Sequence, residues 1–248
     1  KMIKKLLAGV PHIEARHEYV RNYYQRDAML YYLGKISFSA MSDILGNVYE
    51  SAAYYSEADI FLDSSHKLAW VVDVLASRFP DAKFVHLVRN GRKVVSSFYH
   101  KLNIFDDHAA QVQRNWLDGR DEIPPLTENY WQIPSPEGYD YNMFQRICYH
   151  WVMSNLSISE GLMEVPEKQK LFVRLEDLAS CKDIMKSFLD FVDTPYDDTF
   201  MEVMEHPAHV YVPIDYKFTP EQDEQFRAIA QSMQNFLGYN KGEYSVKY

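Results

Sequence analysis

The sequence has few cysteines, no excess of basic residues and no long hydrophobic run. Only Cys148 and Cys181 occur among 248 residues, without C-x-x-C spacing, which excludes a disulfide framework and a zinc knuckle. A formal charge of −9 argues against sequence-independent binding of nucleic acid. No apolar stretch reaches the roughly 18 residues of a membrane span. We expect a cytoplasmic protein without nucleic-acid or membrane partners; a luminal location through an anchor outside these residues is the alternative.

The chain does contain enough apolar material for a full core. It is 47% hydrophobic and 15% aromatic, which favours one large α/β domain over residues 1–248. Apolar runs at 59–65 and 83–88 predict buried strands, with a helical pattern across 66–79 between them. Such a βαβ unit has parallel strands and a right-handed crossover. Ligands in such sheets bind at the carboxyl ends of the strands.

Helical periodicity recurs along the rest of the chain. Helices are predicted at residues 2–8, within 25–55, and at 143–163, 181–192 and 220–236, and a further strand is predicted at 170–178. The segment 12–20 reads as either an extended strand or a loop. Residues 106–142 are rich in proline and aromatic residues, which predicts a lid or covering loop on the acceptor side of a site.

Residues 83–100, KFVHLVRNGRKVVSSFYH, contain a predicted strand that ends in an arginine. Arg89 is followed by a turn and by a helix that carries Ser96 and Ser97. A helix start offers unpaired N–H groups and the positive end of the helix dipole, and a guanidinium fork suits phosphate oxygens. The pattern is compatible with a phosphate site, but a strand-end arginine is more often a surface residue or an ion-pair partner.

This segment closely resembles the part of 3′-phosphoadenylyl-sulfate-dependent sulfotransferases that binds the 3′-phosphate of the donor. In that family a serine follows the arginine by eight positions, as Ser97 follows Arg89 here. FVRLEDL at 172–178 resembles a later strand of the family, and the Leu-Gly-Tyr at 237–239 resembles its usual end. The resemblance, closest to the bacterial and carbohydrate or tyrosyl-protein type, implies a three-layer α/β/α, P-loop NTPase-like fold with a central parallel sheet.

The resemblance also implies a reaction and a donor site. A sulfuryl group would pass from 3′-phosphoadenylyl sulfate, without a metal, to a hydroxyl of a small-molecule or carbohydrate acceptor, or of a peptide tyrosine. Arg89 and Ser97 would hold the 3′-phosphate. Arg174 and Leu175 would lie on the cofactor side, where Leu175 replaces the family's tyrosine and gives an apolar contact to adenine.

A general base must take the proton of the acceptor hydroxyl. In relatives that sulfate tyrosines or sugars, a glutamate shortly after the first helix has this role, and Glu18 is its counterpart here. His17, and His66 with Lys67 in DSSHK at 63–67, are the less favoured candidates. A serine or aspartate of that same stretch is expected to cap the helix that follows.

One feature of the family is missing from these residues. The glycine-rich loop that cradles the 5′-phosphosulfate does not occur, and we expect it, with the first strand, to lie before Lys1. Two alternatives therefore stay open. One is a nucleotide kinase-like phosphotransferase, and the other is a non-catalytic nucleotide-binding module of the same fold.

Overall fold

The computed structural model of the protein describes residues 1–104, 133–206 and 217–239. Most of the segment predicted as an acceptor-side lid, 106–142, lies outside the described residues. The α-helices are α1 (Met2–Leu6), α2 (Gln25–Tyr32), α3 (Phe38–Tyr55), α4 (Val72–Arg78), α5 (Gly91–Ile104), α6 (Met143–Gly161), α7 (Leu175–Ser180), α8 (Lys182–Phe191), α9 (Thr199–Glu205) and α10 (Pro220–Phe236).

The described strands form two pairs, one of which is parallel. The strands are β1 (Ile13–His17), β2 (Ile60–Ser64), β3 (Phe84–Val88) and β4 (Lys170–Arg174). β1 runs parallel to β2, and β3 pairs with β4. An α/β fold with parallel strands is therefore confirmed. In the described part of the chain β2 hydrogen-bonds to β1 rather than to β3, so the two strands that flank α4 are not direct neighbours.

The structure divides into two compact units, the first made of Lys1–Leu87 with Ser157–Ala208 and the second of Val88–Leu156 with His209–Tyr248. In the first unit, side chains from all four strands share one apolar core, with α8 packed on it. In the second, α5, α6 and α10 pack around Val95, Ile147 and Phe226. The single domain over residues 1–248 stays a prediction.

Local sequence signals explain where several helices begin and end. The side chain of Thr219 accepts the backbone N–H of Gln222 and completes a capping box at the start of α10. Gly238 ends that helix with a φ of 83°, a left-handed conformation that glycine adopts at low cost. The helix predicted at 220–236, with Gly238 as its cap, is confirmed.

Two predicted boundaries were wrong. Residues His66–Val71 form a 3₁₀ helix, so the helix expected across 66–79 is α-helical only in its second half, α4. The strand expected at 170–178 ends at Arg174, where α7 begins. The acidic residues of α7's first turn favour a helix start at that point.

Among the described helices, none is long and apolar enough to cross a membrane.

Candidate functional site

Glu18 follows β1 directly and holds an uncommon backbone conformation. Its N–H donates to the carbonyl of Ser64 at 3.2 Å, which continues the pairing with β2 by one residue. Its φ is 52°, and that of Val20 is 39°. Left-handed backbone at residues other than glycine is strained and is concentrated at functional sites. The strand therefore ends at His17, and the backbone turns to a left-handed conformation at Glu18, at the carboxyl edge of the β1–β2 pair.

The carboxylate of Glu18 is bound by an arginine and a histidine. It accepts from Nη1 of Arg21, and its Oε1 lies 3.3 Å from Nδ1 of His66. The side chain is only 12% exposed. The hydrogen bond from His66, aided by Arg21, holds the pKa of Glu18 well below its usual range in spite of burial. Glu18 is therefore ionised, but it is a weaker base than an ordinary carboxylate.

His66 begins the 3₁₀ helix that follows β2. The hydroxyl of Ser65 accepts the N–H of Lys67 at 3.1 Å and caps this helix, which confirms the capping expected in this stretch. The imidazole of His66 is 63% exposed, so its remaining edge can reach solvent or a substrate. Lys67 is 6% exposed and interacts within the protein.

His17, the last residue of β1, is held by the neighbouring strand. Its Nδ1 lies 2.7 Å from the carbonyl oxygen of Ser64. Because a carbonyl can only accept, Nδ1 carries the hydrogen, and Nε2 has the lone pair in the neutral ring. Burial lowers the pKa of His17. Glu18, His17 and His66 thus meet where β1 and β2 end, although His66 is far from the other two in sequence.

A further set of polar groups beside this edge was not foreseen. Asp63 accepts the N–H of Tyr19 at 3.1 Å and the hydroxyl of Tyr49 at 2.7 Å. The hydroxyl of Tyr24 donates to Ser65 at 3.3 Å. The sequence singled out Asp63 only as a possible helix cap, and neither Tyr24 nor Tyr49 lies in a distinctive sequence pattern. Arg21 also escaped notice, although its spacing of three residues from Glu18 permits an ion pair.

The start of α1 lies close to the same carboxylates. Lys1, the residue before α1, lies within electrostatic range of Glu18 and Asp63. The chain thus enters its first helix beside the Glu18–His66 pair.

The residues expected to hold the 3′-phosphate lie in the second unit. Arg89 stands between β3 and α5, half-buried, and it interacts within the protein. Ser97 lies on α5 and is half-buried, whereas its neighbour Ser96 is only 8% exposed.

The start of α5 differs from what the sequence led us to expect. Gly91 N–H donates to Oε1 of Gln234 at 2.9 Å, and Arg92 N–H donates to Oδ1 of Asn90 at 3.0 Å. The prediction that unpaired N–H groups await an anion here was wrong for these two groups, because side chains of the protein already occupy them. Anion binding at this corner would depend mainly on the side chains of Arg89 and Ser97.

The remaining cofactor candidates lie at the end of β4. Arg174 is its last residue, and its Nε is 2.5 Å from Oδ2 of Asp177. Leu175 opens α7 and packs against the core of the first unit. The ion pair and the core packing give both residues a local structural role, and a contact of either with adenine stays a prediction. No cluster of three or more His, Cys, Asp or Glu residues able to hold a metal ion occurs in the described ranges.

Comparison with known proteins assigns the chain to a family. The model of the sulfotransferase family matches residues 4–198. A search of curated proteins gave no match. Among solved structures, a sulfotransferase domain from the curacin biosynthetic pathway is similar, with 15% identity and a TM-score of 0.39. That alignment covers 72% of this chain and 58% of the other, so the chain spans little more than half of that domain's length.

Proposed function

This chain belongs to the sulfotransferase family, and from that membership we propose that it transfers a sulfuryl group from 3′-phosphoadenylyl sulfate to a hydroxyl group of an acceptor. The observation that carries the proposal is the Glu18–His66 pair, 3.3 Å apart at the carboxyl ends of two parallel strands. Ligands of parallel sheets bind at this edge. Both residues lie inside the range that the family model matches.

The reaction places clear demands on the protein. The acceptor oxygen attacks sulfur, the bond from sulfur to the bridging phosphate oxygen breaks, and adenosine 3′,5′-bisphosphate leaves. As in phosphoryl transfer, positioning and electrostatic stabilisation supply most of the catalysis. The acceptor's proton must also go to a base within hydrogen-bond reach.

We assign the role of general base to the Glu18–His66 pair, with His66 as the residue that accepts the proton. The pKa of Glu18 is too low for an efficient base, since its charge is already engaged by His66 and Arg21. A neutral His66 donates Nδ1–H to Glu18, which leaves the lone pair of Nε2 for the acceptor. Glu18 then stabilises the imidazolium that forms. His17 is the alternative base, because hydrogen bonding to Ser64 leaves its Nε2 with a lone pair as well.

Arg89 and Ser97 are proposed to bind the 3′-phosphate of the donor, with Arg174 and Leu175 on the adenine side. A guanidinium and a hydroxyl together can surround a phosphate with directed donors. The acceptor is proposed to be a sugar, a phenol or a peptide tyrosine, each of which offers a hydroxyl. None of these steps requires a metal ion.

Transfer of labelled sulfate tests the proposal. The full-length protein is incubated with donor carrying ³⁵S and with a panel of sugars, phenols and tyrosine peptides, without added metal. We expect labelled product with the wild type and a loss of about a hundredfold or more in turnover for His66→Asn. Glu18→Gln should lose less, because the imidazole can still accept the proton.

Binding of adenosine 3′,5′-bisphosphate separates the alternatives. Tight binding without transfer to any acceptor would identify a non-catalytic nucleotide-binding module. Phosphate transfer from ATP that depends on Mg²⁺ would identify a kinase-like enzyme. Unchanged turnover in His66→Asn, with loss in His17→Asn, would move the base to His17.

A further inference from the structure

Arg146, on α6 in the second unit, is a buried cation without a close partner among the described residues. The residue is 4% exposed. Its Nε has no hydrogen-bond partner, and none of the ion pairs among the described residues includes its guanidinium. Asp140 attracts it electrostatically, but Asp140 itself is exposed. Burial lowers the pKa of Arg146, although an arginine in a protein keeps its proton.

Other charged residues that are buried in the described part of the chain have partners within the protein. Lys67 and Glu176 are 6% and 5% exposed, and both interact within the protein. A charge taken out of water is normally compensated by a partner, because desolvation is expensive. The exception at Arg146 therefore calls for a partner that is not part of the described protein.

The surroundings of Arg146 suit a ligand with an aromatic or sugar-like body. Tyr149, one helical turn further along α6, contacts the ring of Tyr141 at 5.8 Å between centroids, and Tyr141 contacts Tyr139 at 5.5 Å. The segment that carries these tyrosines lies against α6, since Ile133 N–H donates to Nδ1 of His150. Tyr149 thus brings an aromatic ring and a hydroxyl group to α6 three residues after Arg146, and Tyr141 contacts that ring.

We propose that the guanidinium of Arg146 binds an oxyanion of a ligand, a sulfate, phosphate or carboxylate group, beside the tyrosines at 139, 141 and 149. The planar fork of an arginine binds two oxygens of such a group at once, and the attraction is strong where water is excluded. The oxyanion could come from the nucleotide donor or from an acidic acceptor. The site itself does not depend on the proposed sulfuryl transfer.

Thermal unfolding in inorganic sulfate tests the site without any assay of activity. Wild type, Arg146→Met and Arg92→Met are each heated over a series of sodium sulfate concentrations, with sodium chloride at matched ionic strength. Arg92 is the matched control because it is 36% exposed and pairs with Asp223 at 2.5 Å. Sulfate stabilises most proteins by exclusion from their surface, so the difference between wild type and variant carries the information.

We expect the wild type to show a saturable sulfate response that Arg146→Met lacks and Arg92→Met retains. Without sulfate, Arg146→Met should be as stable as the wild type or more so, because it removes an uncompensated buried charge. Arg92→Met should be less stable, since it breaks an ion pair. An Arg146→Met variant with the wild-type sulfate response would overturn the proposal, as would one that loses stability as Arg92→Met does.

A second variant decides the matter if Arg146→Met does not fold. Arg146→Lys keeps the charge but loses the fork, and its sulfate affinity should fall about tenfold. An unchanged saturation curve in Arg146→Lys would contradict the proposal.

Calorimetry with adenosine 3′,5′-bisphosphate then identifies the source of the oxyanion. If it belongs to the donor, the nucleotide Kd of Arg146→Met rises tenfold or more. If the nucleotide Kd stays constant while the sulfate response is lost, the oxyanion belongs to the acceptor. A wild type that responds to sulfate but binds no nucleotide would overturn the proposed function and leave this site intact.

Discussion

Tyr49 donates its phenolic hydrogen to Asp63, with 2.7 Å between the two oxygen atoms. The other carboxylate oxygen of Asp63 accepts the N–H of Tyr19, the residue after Glu18. Asp63 therefore joins α3, the end of β2 and the strained turn after β1. Through this carboxylate, a tyrosine remote from the reacting groups helps to fix the backbone that carries Glu18.

Removing the Tyr49 hydroxyl should lower the stability of the protein. Tyr49→Phe leaves one oxygen of a half-buried carboxylate without its donor, and we expect a loss of about 1–3 kcal/mol in the free energy of unfolding. Urea denaturation measures it. The matched control is Tyr54→Phe on the same helix, because Tyr54 is 81% exposed and its change should be near zero. Equal losses in the two variants would show that Tyr49 contributes nothing through Asp63.

The Glu18 carboxylate predicts a pH dependence of stability. Its folded pKa lies far below the ordinary value of 4.5, so the unfolded chain binds the proton more readily than the folded one. The stabilisation is therefore fully present above about pH 5 and is lost as the pH falls through and below 4.5. Urea unfolding at pH 7 and pH 3 should show Glu18→Gln less stable than wild type at pH 7, with a smaller difference at pH 3.

Arg21 provides a control for that measurement. A double-mutant cycle between Glu18→Gln and Arg21→Met should give a coupling energy at pH 7 that shrinks at pH 3. A difference in stability between wild type and Glu18→Gln that stays constant across this range would mean that Arg21 and His66 do not hold the carboxylate.

The pH dependence of kcat/KM separates the candidate bases. If His66 takes the proton, kcat/KM falls at acid pH as one group, His66, becomes protonated. Loss of the carboxylate in Glu18→Gln then lowers the pKa of His66, because Glu18 favours the imidazolium, and the fall in kcat/KM moves to lower pH. His17→Asn should keep the acid limb. A flat profile between pH 5 and 8, together with an inactive Glu18→Gln, would instead make Glu18 itself the base.

The sequence was sufficient for the elements whose pattern is strong and local. The runs at 59–65 and 83–88 are short, apolar and bounded by polar residues, and both are strands, β2 and β3. Residues 12–20 left strand and loop equally open, since β1 alternates only weakly and becomes a strand through pairing with β2. The choice depended on a partner 47 residues away in the register.

The candidate site was predictable only in part for the same reason. The resemblance named Glu18 and His66, but their contact arises from the parallel register that brings His17 beside Ser64. Gln234 at the start of α5 could not be foreseen, because a glutamine on α10 reaches Gly91 across 143 residues of sequence. Nothing in the sequence singles out Arg146, because only the packing of the second unit makes it a buried charge.

Matched serine variants test the proposed 3′-phosphate site. Arg89→Ala should weaken the binding of adenosine 3′,5′-bisphosphate tenfold to a hundredfold. This is the change in Kd that corresponds to about 1.5–3 kcal/mol, the contribution of a hydrogen bond to a charged group. Ser97→Ala should weaken it in the same direction. Ser96→Ala, a change at the buried neighbouring position, should leave the affinity unchanged. Isothermal titration calorimetry gives all three values, and equal effects at Ser96 and Ser97 would remove the serine from the site.

Close packing, rather than a turn, explains the glycine that opens α5. A Cβ added at Gly91 would lie 2.8 Å from Oε1 of Gln234 and 2.8 Å from the ring of Trp151. Gly91→Ala must push one of these side chains aside and strain the hydrogen bond from Gly91 N–H, so we expect a loss of about 1–3 kcal/mol in stability.

Gly9→Ala is the control for Gly91→Ala, since a Cβ there meets nothing within 4 Å and should be tolerated. Because Gly91 lies two residues after Arg89, a shift at the start of α5 should also weaken nucleotide binding. Urea unfolding and calorimetry on both variants check the two effects together. A Gly91→Ala protein as stable as Gly9→Ala would show that α10 and Trp151 do not press on the start of α5 as the structure indicates.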